Sequence, residues 1–312
     1  MTNKIKHNRK CGDGTGCIFW RKAHQMIKHK LTFIGMKIIL VSEDKQKDEL
    51  VQAAIKILKD KPSSNPKHPE LFKYKIAKKR CRFVYKINCC SENYYVKKYV
   101  NRDAIRVIQD LFRTQRAIRS MFTCWHLEHN KIPTYEQLFA LIDISKIFNR
   151  PSVVVSKECK GKTIKHLLKE DISEDRKSEI IEMLINLYVK MLKVNVYHCD
   201  PNLSNFILEN GVLKLIDIDD VRVLPYISYR LLKKNLMKFN KILFLVYSRE
   251  KNGNIDFNNA DREYILQEVI RRYDPNIPVS KLLKYLDRKT RIPLFEVKKL
   301  VKSNDVDLSK KN

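Results

Sequence analysis

The stretch from Tyr197 to Asp220 constrains this chain more than any other. His198 stands two residues before Asp200, Asn205 follows Asp200 by five, and Asp217 ends an apolar run from Val212 to Ile216. Phe206, Ile207 and Leu208 form a second short apolar segment, and around the Glu209-Asn210-Gly211 turn the two read as a β-hairpin that sets Asp217 beside Asn205. The spacing H-x-D-x-x-x-x-N, then a strand-borne aspartate, meets the needs of phosphoryl transfer. In that chemistry the protein must position two oxygens and hold a metal ion against a triphosphate. Asp200 suits the acceptance of a hydroxyl proton. Asn205, through its amide oxygen, and Asp217, through its charge, are hard oxygen ligands of the kind Mg²⁺ prefers.

A plainer reading has Asp200 and Asn205 capping a loop and Asp217 to Asp220 as a solvated acidic turn, since Asx residues bond readily to local backbone. A lone H-x-D would not separate the two readings. The full constellation, preceded by a helix and closed by a hairpin, favours a site of the protein-kinase type. The preceding helix runs over Asp171–Met191, with Ser173 and Asp175 as candidate caps and Ile180, Ile181, Leu184, Leu187, Tyr188 and Met191 as its buried stripe. His198 either packs beneath the loop and bonds to Asp217 or acts chemically; the first is preferred. Cys199 lacks the neighbours of an activated nucleophile.

From Leu71 to Val100 the hydrophobic period changes to two. Arg82–Ile87 and Tyr94–Tyr99 read as strands joined near Cys89 to Asn93, with an earlier strand near Phe72–Ile76. Such a meander suits a small nucleotide-binding lobe, with Lys97 projecting to the phosphates. Lys98 is the competitor, because alternation sends one of the pair to solvent. No glycine-rich loop is present. The turn Ala77 to Cys81 carries Lys78 and Lys79, which either meet phosphates or form a solvated basic turn. Asn101 to Asn130 has helical spacing, with Ile105, Ile108, Phe112, Ile118, Phe122, Trp125 and Leu127 as candidate buried positions, and Lys131-Ile132-Pro133-Thr134 ends it.

Charge narrows the partners. With 63 Lys and Arg against 35 Asp and Glu, the net charge is +28, which implies an anionic surface or ligand. Leu71 to Ser120 alone holds fourteen basic residues against Glu92, Asp103 and Asp110. The eight cysteines include no CxxC pair, so a zinc site has little support, and their irregular spacing fits reduced thiols. Leu31 to Val41, interrupted by Lys37, is too short to cross a bilayer, and no apolar core follows the basic N-terminus as a secretion signal needs. Cys11 to Cys17 holds three of seven glycines but lacks the preceding strand and Lys-Ser/Thr ending of a phosphate loop. Glu49–Lys59 reads as a helix, and Lys61 to Pro66 as a polar linker that marks a domain boundary. Residues 1–66 are thus expected as an N-terminal extension, with Met36 an alternative start, and 67–312 as one domain.

Tyr95-Val96-Lys97-Lys98-Tyr99, the Arg-rich helix with Trp125, Ile132-Pro133-Thr134, Leu138 to Ile142, Glu158 with Gly161, and the segment His198 to Phe206 together resemble the bacterial lipopolysaccharide kinase group, which includes core heptose and Kdo kinases. The likeness covers about residues 70 to 245. It implies an α+β, two-lobed protein-kinase-like fold, with a small antiparallel-sheet lobe at 67–155 and a mainly helical lobe at 156–302. It also implies ATP with Mg²⁺ and phosphorylation of a lipopolysaccharide core sugar by a cytoplasmic protein, peripheral at the inner membrane. By motif match Lys97 becomes the phosphate-binding lysine, Asp200 the base, Asn205 and Asp217 the metal ligands, and Glu158 the place where backbone faces adenine. One match fails. Ser120 falls where kinases carry a helix glutamate that pairs with the lysine, and Glu128 lies two turns later. The alternatives are a kinase of another acceptor, RIO-like or aminoglycoside-kinase-like, and a catalytically degenerate adaptor for membrane or nucleic acid. Nucleic acid is the disfavoured partner of the enzyme reading.

Leu231–Tyr247 and Leu282–Lys302 read as basic amphipathic helices, more suited to packing in the helical lobe than to lying on a membrane.

Overall fold

The structure is a computed structural model that describes residues 31–33, 38–42, 48–59, 81–89, 91–100, 115–145, 150–168, 170, 172–249 and 257–290. In chain order these form β1 (Leu31–Phe33), β2 (Ile38–Ser42), α1 (Asp48–Lys59), β3 (Cys81–Cys89), β4 (Glu92–Val100), α2 (Arg116–His129), β5 (Gln137–Asp143), β6 (Ser152–Lys157), β7 (Lys162–Thr163), α3 (Ile164–Leu167), α4 (Glu174–Lys193), β8 (Val196–His198), β9 (Phe206–Glu209), β10 (Val212–Leu215), β11 (Val221–Val223), α5 (Tyr229–Arg249), α6 (Asn259–Tyr273) and α7 (Val279–Thr290). They divide into two compact units, 1–162 with 207–226, and 163–206 with 227–312.

In the first unit six strands form one antiparallel sheet in the order β1-β2-β5-β6-β4-β3. The expected pair Arg82–Ile87 and Tyr94–Tyr99 is the β3–β4 hairpin, turned through Ser91 at φ 64°. Alternation along β4 gives its two faces different work. Tyr94 and Val96 join Phe83, Tyr85, Ile87, Leu141, Val153 and Val155 in a core closed by Leu50, Val51, Ala54, Ile57 and Leu58 of α1. Tyr99 on the other face joins Ala140 and Val154 against Ala117, Met121, Phe122 and Trp125 of α2.

Two expectations change here. Lys98 does not reach solvent: it is 1% exposed and donates to Ile57 O at 2.5 Å, a cation set on a carbonyl near the C-terminal end of α1. The covering element comes from the segment read as an extension. The division drawn at residue 66 is also crossed by the sheet, because β2 pairs with β5 from Ile38↔Asp143 to Ser42↔Phe139. The strand expected near Phe72–Ile76, the turn residues Lys78 and Lys79, and positions Ile105, Ile108 and Phe112 lie outside the described residues.

β9 and β10 make the hairpin expected around Gly211. Asn210 at φ 51° and Gly211 at φ 76° are the two positive-φ positions that a two-residue turn matched to strand twist requires. The Ile132-Pro133-Thr134 segment runs beside β10: Leu215 N–H donates to Pro133 O at 2.9 Å and Thr134 Oγ1 donates to Leu215 O at 2.8 Å. That segment therefore fixes the strand leading to Asp217. Gly161 packs so closely against the same hairpin that a Cβ there would lie 2.0 Å from Leu208 O, which only glycine avoids.

The second unit is helical. α4 begins at Ser173, whose hydroxyl accepts from Arg176 N, and buries the whole expected stripe from Ile180 to Met191. Tyr188 of α4 stacks on Phe239 of α5 with centroids 4.2 Å apart, and its hydroxyl donates to Asn235 Oδ1. Asn235 in turn donates to His198 O at 2.8 Å, which ties the two long helices to the loop that follows β8.

Candidate active site

The loop after β8 is built from its own backbone outward. Asp200 N donates to Nδ1 of the buried His198 at 3.2 Å, so the ring packs beneath the loop. Asp200 O then accepts twice, from Asn202 N at 2.8 Å and from Asn205 Nδ2 at 2.9 Å. Asn202 Oδ1 caps the 3₁₀ turn Leu203–Asn205 by accepting from Ser204 N at 3.1 Å, and Lys238 Nζ of α5 donates to Cys199 O at 2.7 Å. The loop leaves the Asp200 residue exposed on a frame fixed from both ends. Asn235 and Lys238 were not singled out from the sequence, because nothing in a helical stripe marks a side chain that bonds to a remote loop.

The second constellation lies wholly in the first unit. Lys97 Nζ meets Asp217 Oδ1 at 2.9 Å, with the lysine side chain 14% and the aspartate 36% exposed. Asp217 occupies the left-handed region at φ 55°, ψ 55°, a conformation that costs a non-glycine residue roughly 1–2 kcal/mol and that aspartate, like asparagine, tolerates better than most. Tyr99, two residues along the same face of β4, donates to Asp219 Oδ1 at 2.7 Å. Ser120 of α2 reaches the same oxygen at 3.5 Å, and Gln137 Nε2 donates to Ser120 Oγ at 2.8 Å and to Tyr135 Oη at 2.6 Å. Arg116 lies over the Tyr99 ring at 5.3 Å and 3.8 Å from Asp220.

Burial favours the neutral amine at Lys97, but the charge of Asp219 and the charge and hydrogen bond of Asp217 outweigh it and raise its pKa. Burial pushes the Tyr99 and Tyr135 hydroxyls up, so both remain proton donors. Ser120 thus stands where the sequence placed it, among these groups and without a charge. Glu128 instead accepts from Cys124 Sγ within α2. Asp219, Tyr99, Tyr135 and Gln137 escaped the motif reading. The available signal was a pair of polar-tipped residues at i, i+2 on β4 facing two carboxylates at i, i+2 after β10.

Glu158 follows β6, and its carboxylate is fully engaged by Lys86 Nζ at 2.6 Å, Asn93 Nδ2 at 2.8 Å and Tyr95 Oη at 3.3 Å. Its pKa is lowered, first by the Lys86 hydrogen bond. Asn205 and Asp217 suit Mg²⁺ by the chemistry of the donors. Asn205 carries a neutral amide oxygen, its nitrogen donating to Asp200 O at 2.9 Å, and Asp217 carries a carboxylate. Among the described residues no group of three or more His, Cys, Asp or Glu gathers as a metal cage.

Among solved structures the chain is similar to WaaP in complex with acyl carrier protein, with a TM-score of 0.55 and 15% identity over 80% of this chain and 97% of that one. A second, looser likeness is to the Neurospora crassa PAN2–PAN3 complex containing the PAN3 pseudokinase, at a TM-score of 0.38 and 15% identity over 86% of this chain and 74% of that one. No protein-family model and no curated protein matches the sequence. The fold is α+β and protein-kinase-like, and at 15% identity the likeness to the WaaP structure speaks for the fold alone.

Proposed function

We propose that this chain is an ATP- and Mg²⁺-dependent phosphotransferase whose acceptor is a sugar hydroxyl, heptose or Kdo, of the lipopolysaccharide core. The observation that carries the reading is the Lys97–Asp217 pair. Residues 120 apart in sequence, each picked out by a separate part of one motif, meet at 2.9 Å. In this reading Lys97 binds the α- and β-phosphates, and Asp200 accepts the proton of the sugar hydroxyl. Asn205 and Asp217 hold the metal ion, which supplies charge neutralisation on the phosphates. The backbone beside Glu158 faces adenine, and Lys78 and Lys79 meet phosphate in place of glycine amides. The basic surface docks on anionic glycolipid as a peripheral protein of the inner face of the inner membrane; among the described residues no helix is long and apolar enough to cross a bilayer.

The test is transfer of labelled γ-phosphate from ATP and Mg²⁺ to purified lipopolysaccharide. Wild type labels the core sugar, and Asp200→Ala and Asp217→Ala each lose at least about 10²-fold in rate. ATP binding without labelling of lipopolysaccharide points to another acceptor hydroxyl. A second reading, a degenerate kinase fold acting as an adaptor, draws on Ser120 in place of a helix carboxylate. It prevails if wild type binds no nucleotide yet holds anionic membrane or duplex DNA with steep salt dependence.

A further inference from the structure

Asp217 faces two demands. In the structure it pairs with Lys97, whereas the proposed function gives it to the metal ion. The inference below rests on that functional reading. A lysine handed from Asp217 to the phosphates of an arriving nucleotide needs a fixed carboxylate to aim it, and Ser120 on α2 has no charge to offer.

The chain answers with a doubled bridge. Lys97 and Tyr99 project from one face of β4, as residues two apart on a strand do. They meet Asp217 at 2.9 Å and Asp219 at 2.7 Å, which pins the 217–220 turn against the strand at two points. Asp219 is held again by Ser120 at 3.5 Å. Gln137 then links Ser120 to Tyr135, at 2.8 and 2.6 Å, and the Tyr135 ring lies 5.5 Å from Lys97 Nζ. With the β4 backbone between Lys97 and Tyr99, these contacts close a ring that starts and ends at Lys97. Asp219 is the carboxylate in that ring that the functional reading leaves without a metal to hold.

We propose that Asp219, clamped by Tyr99 and Ser120, is the positioning counter-charge of Lys97 and takes the part that a helix carboxylate plays in other kinases. It touches neither nucleotide nor acceptor; it acts through Lys97. The arrangement moves the counter-charge from α2 to the turn that also carries Asp217, so one segment supplies both carboxylates.

The experiment compares wild type, Asp219→Asn, Tyr99→Phe and the double variant Asp219→Asn/Ser120→Glu. Two quantities are read: affinity for Mg·ATP by calorimetry, and the rate of Lys97 acetylation by acetic anhydride, followed by mass spectrometry. Asp219→Asn is expected to bind Mg·ATP about tenfold more weakly and to acetylate at Lys97 about tenfold faster, the scale of one charged interaction. Tyr99→Phe gives a smaller change in the same direction, and it carries the test if Asp219→Asn does not fold. Ser120→Glu in the Asp219→Asn background restores both quantities toward wild type, a rescue that a merely structural Asp219 would not allow. Unchanged affinity and unchanged acetylation in folded Asp219→Asn overturn the proposal. Wild type that binds no Mg·ATP, while Lys97 acetylation still responds to Asp219, removes the nucleotide reading and leaves the positioning of Lys97 supported.

Discussion

Cys159 shows how one residue reports the packing around it. It follows Glu158 at the end of the sheet, and burial, followed by the charge of Glu209, raises its thiol pKa from 9.0 to about 11. Because the folded state holds the proton more tightly, Cys159 lends stability in full below pH 9 and loses it as the pH rises toward about 11. At pH 9 an ordinary thiol is half ionised and Cys159 about one-hundredth, so iodoacetamide should alkylate it ~50-fold more slowly than the same thiol in unfolded chain. Peptide-resolved mass spectrometry at pH 8 to 11 measures this, and a rate equal to the unfolded control would show that the site is open. Other single residues were plain from the sequence where local rules decide them. Ser173 caps α4, and Asn210-Gly211 turns the hairpin, because each needs only its immediate neighbours. Asp219 was not, since its partners Tyr99 and Ser120 lie 120 and 99 residues away.

At the scale of elements, the sheet face covered by α1 turns on one side chain. Lys98 sits opposite Lys97 in the pleat and sets its ammonium on Ile57 O at 2.5 Å, where helix carbonyls lack intrahelical donors. Lys98→Met keeps most of the packing and removes the charge-assisted hydrogen bond, which should cost about 1–2 kcal/mol of stability in urea titration. Its Mg·ATP affinity should stay at the wild-type value, whereas Lys97→Met should lose nucleotide binding. A Lys98→Met protein that binds nucleotide poorly but melts normally would reverse the assignment of the two lysines. The strands around this pair were legible as a period of two, and α2 and α4 as stripes of period 3.6. What covers each face was not. Alternation fixes which side chains share a face, and it is silent on whether water or a helix lies beyond. The apolar run Leu31 to Val41 reads only as too short to cross a bilayer, since an apolar segment broken by one lysine has no clear period. It forms β1 and β2, and β2 is drawn into the sheet by pairing with β5.

For the whole molecule, a net charge of +28 favours anionic partners, and within the helical unit that charge is unevenly spread. α4 and α6 balance acids against bases and bond them internally, as in Arg272 with Glu182 and Glu268. α5 carries Arg230, Lys233, Lys234, Lys238, Lys241 and Arg249 with no acidic residue, and in α7 the lone Asp287 is taken by Arg262 at 2.8 Å. Arg230, Lys234 and Lys241 recur at helical spacing on the exposed side of α5, opposite buried Leu232, Leu236, Phe239 and Leu243. Beside them Lys233 lies 4.9 Å from the rings of both Tyr229 and Tyr285, which adds aromatic surface of the sort that rests at a membrane interface. Ordinary packing explains the apolar side of α5; it does not explain why every charge on the other side has one sign. If anionic membrane is the partner, each basic residue near the surface contributes about 1 kcal/mol, so neutralising three should cut binding about a hundredfold. Co-sedimentation with vesicles containing phosphatidylglycerol, at low and at physiological salt, should therefore show loss of binding for Arg230→Gln/Lys234→Gln/Lys241→Gln and near-normal binding for Lys190→Gln/Lys193→Gln. Losses in proportion to the charge removed, three against two, would mean that net charge alone draws the protein to the membrane, and α5 would then owe its composition to something else.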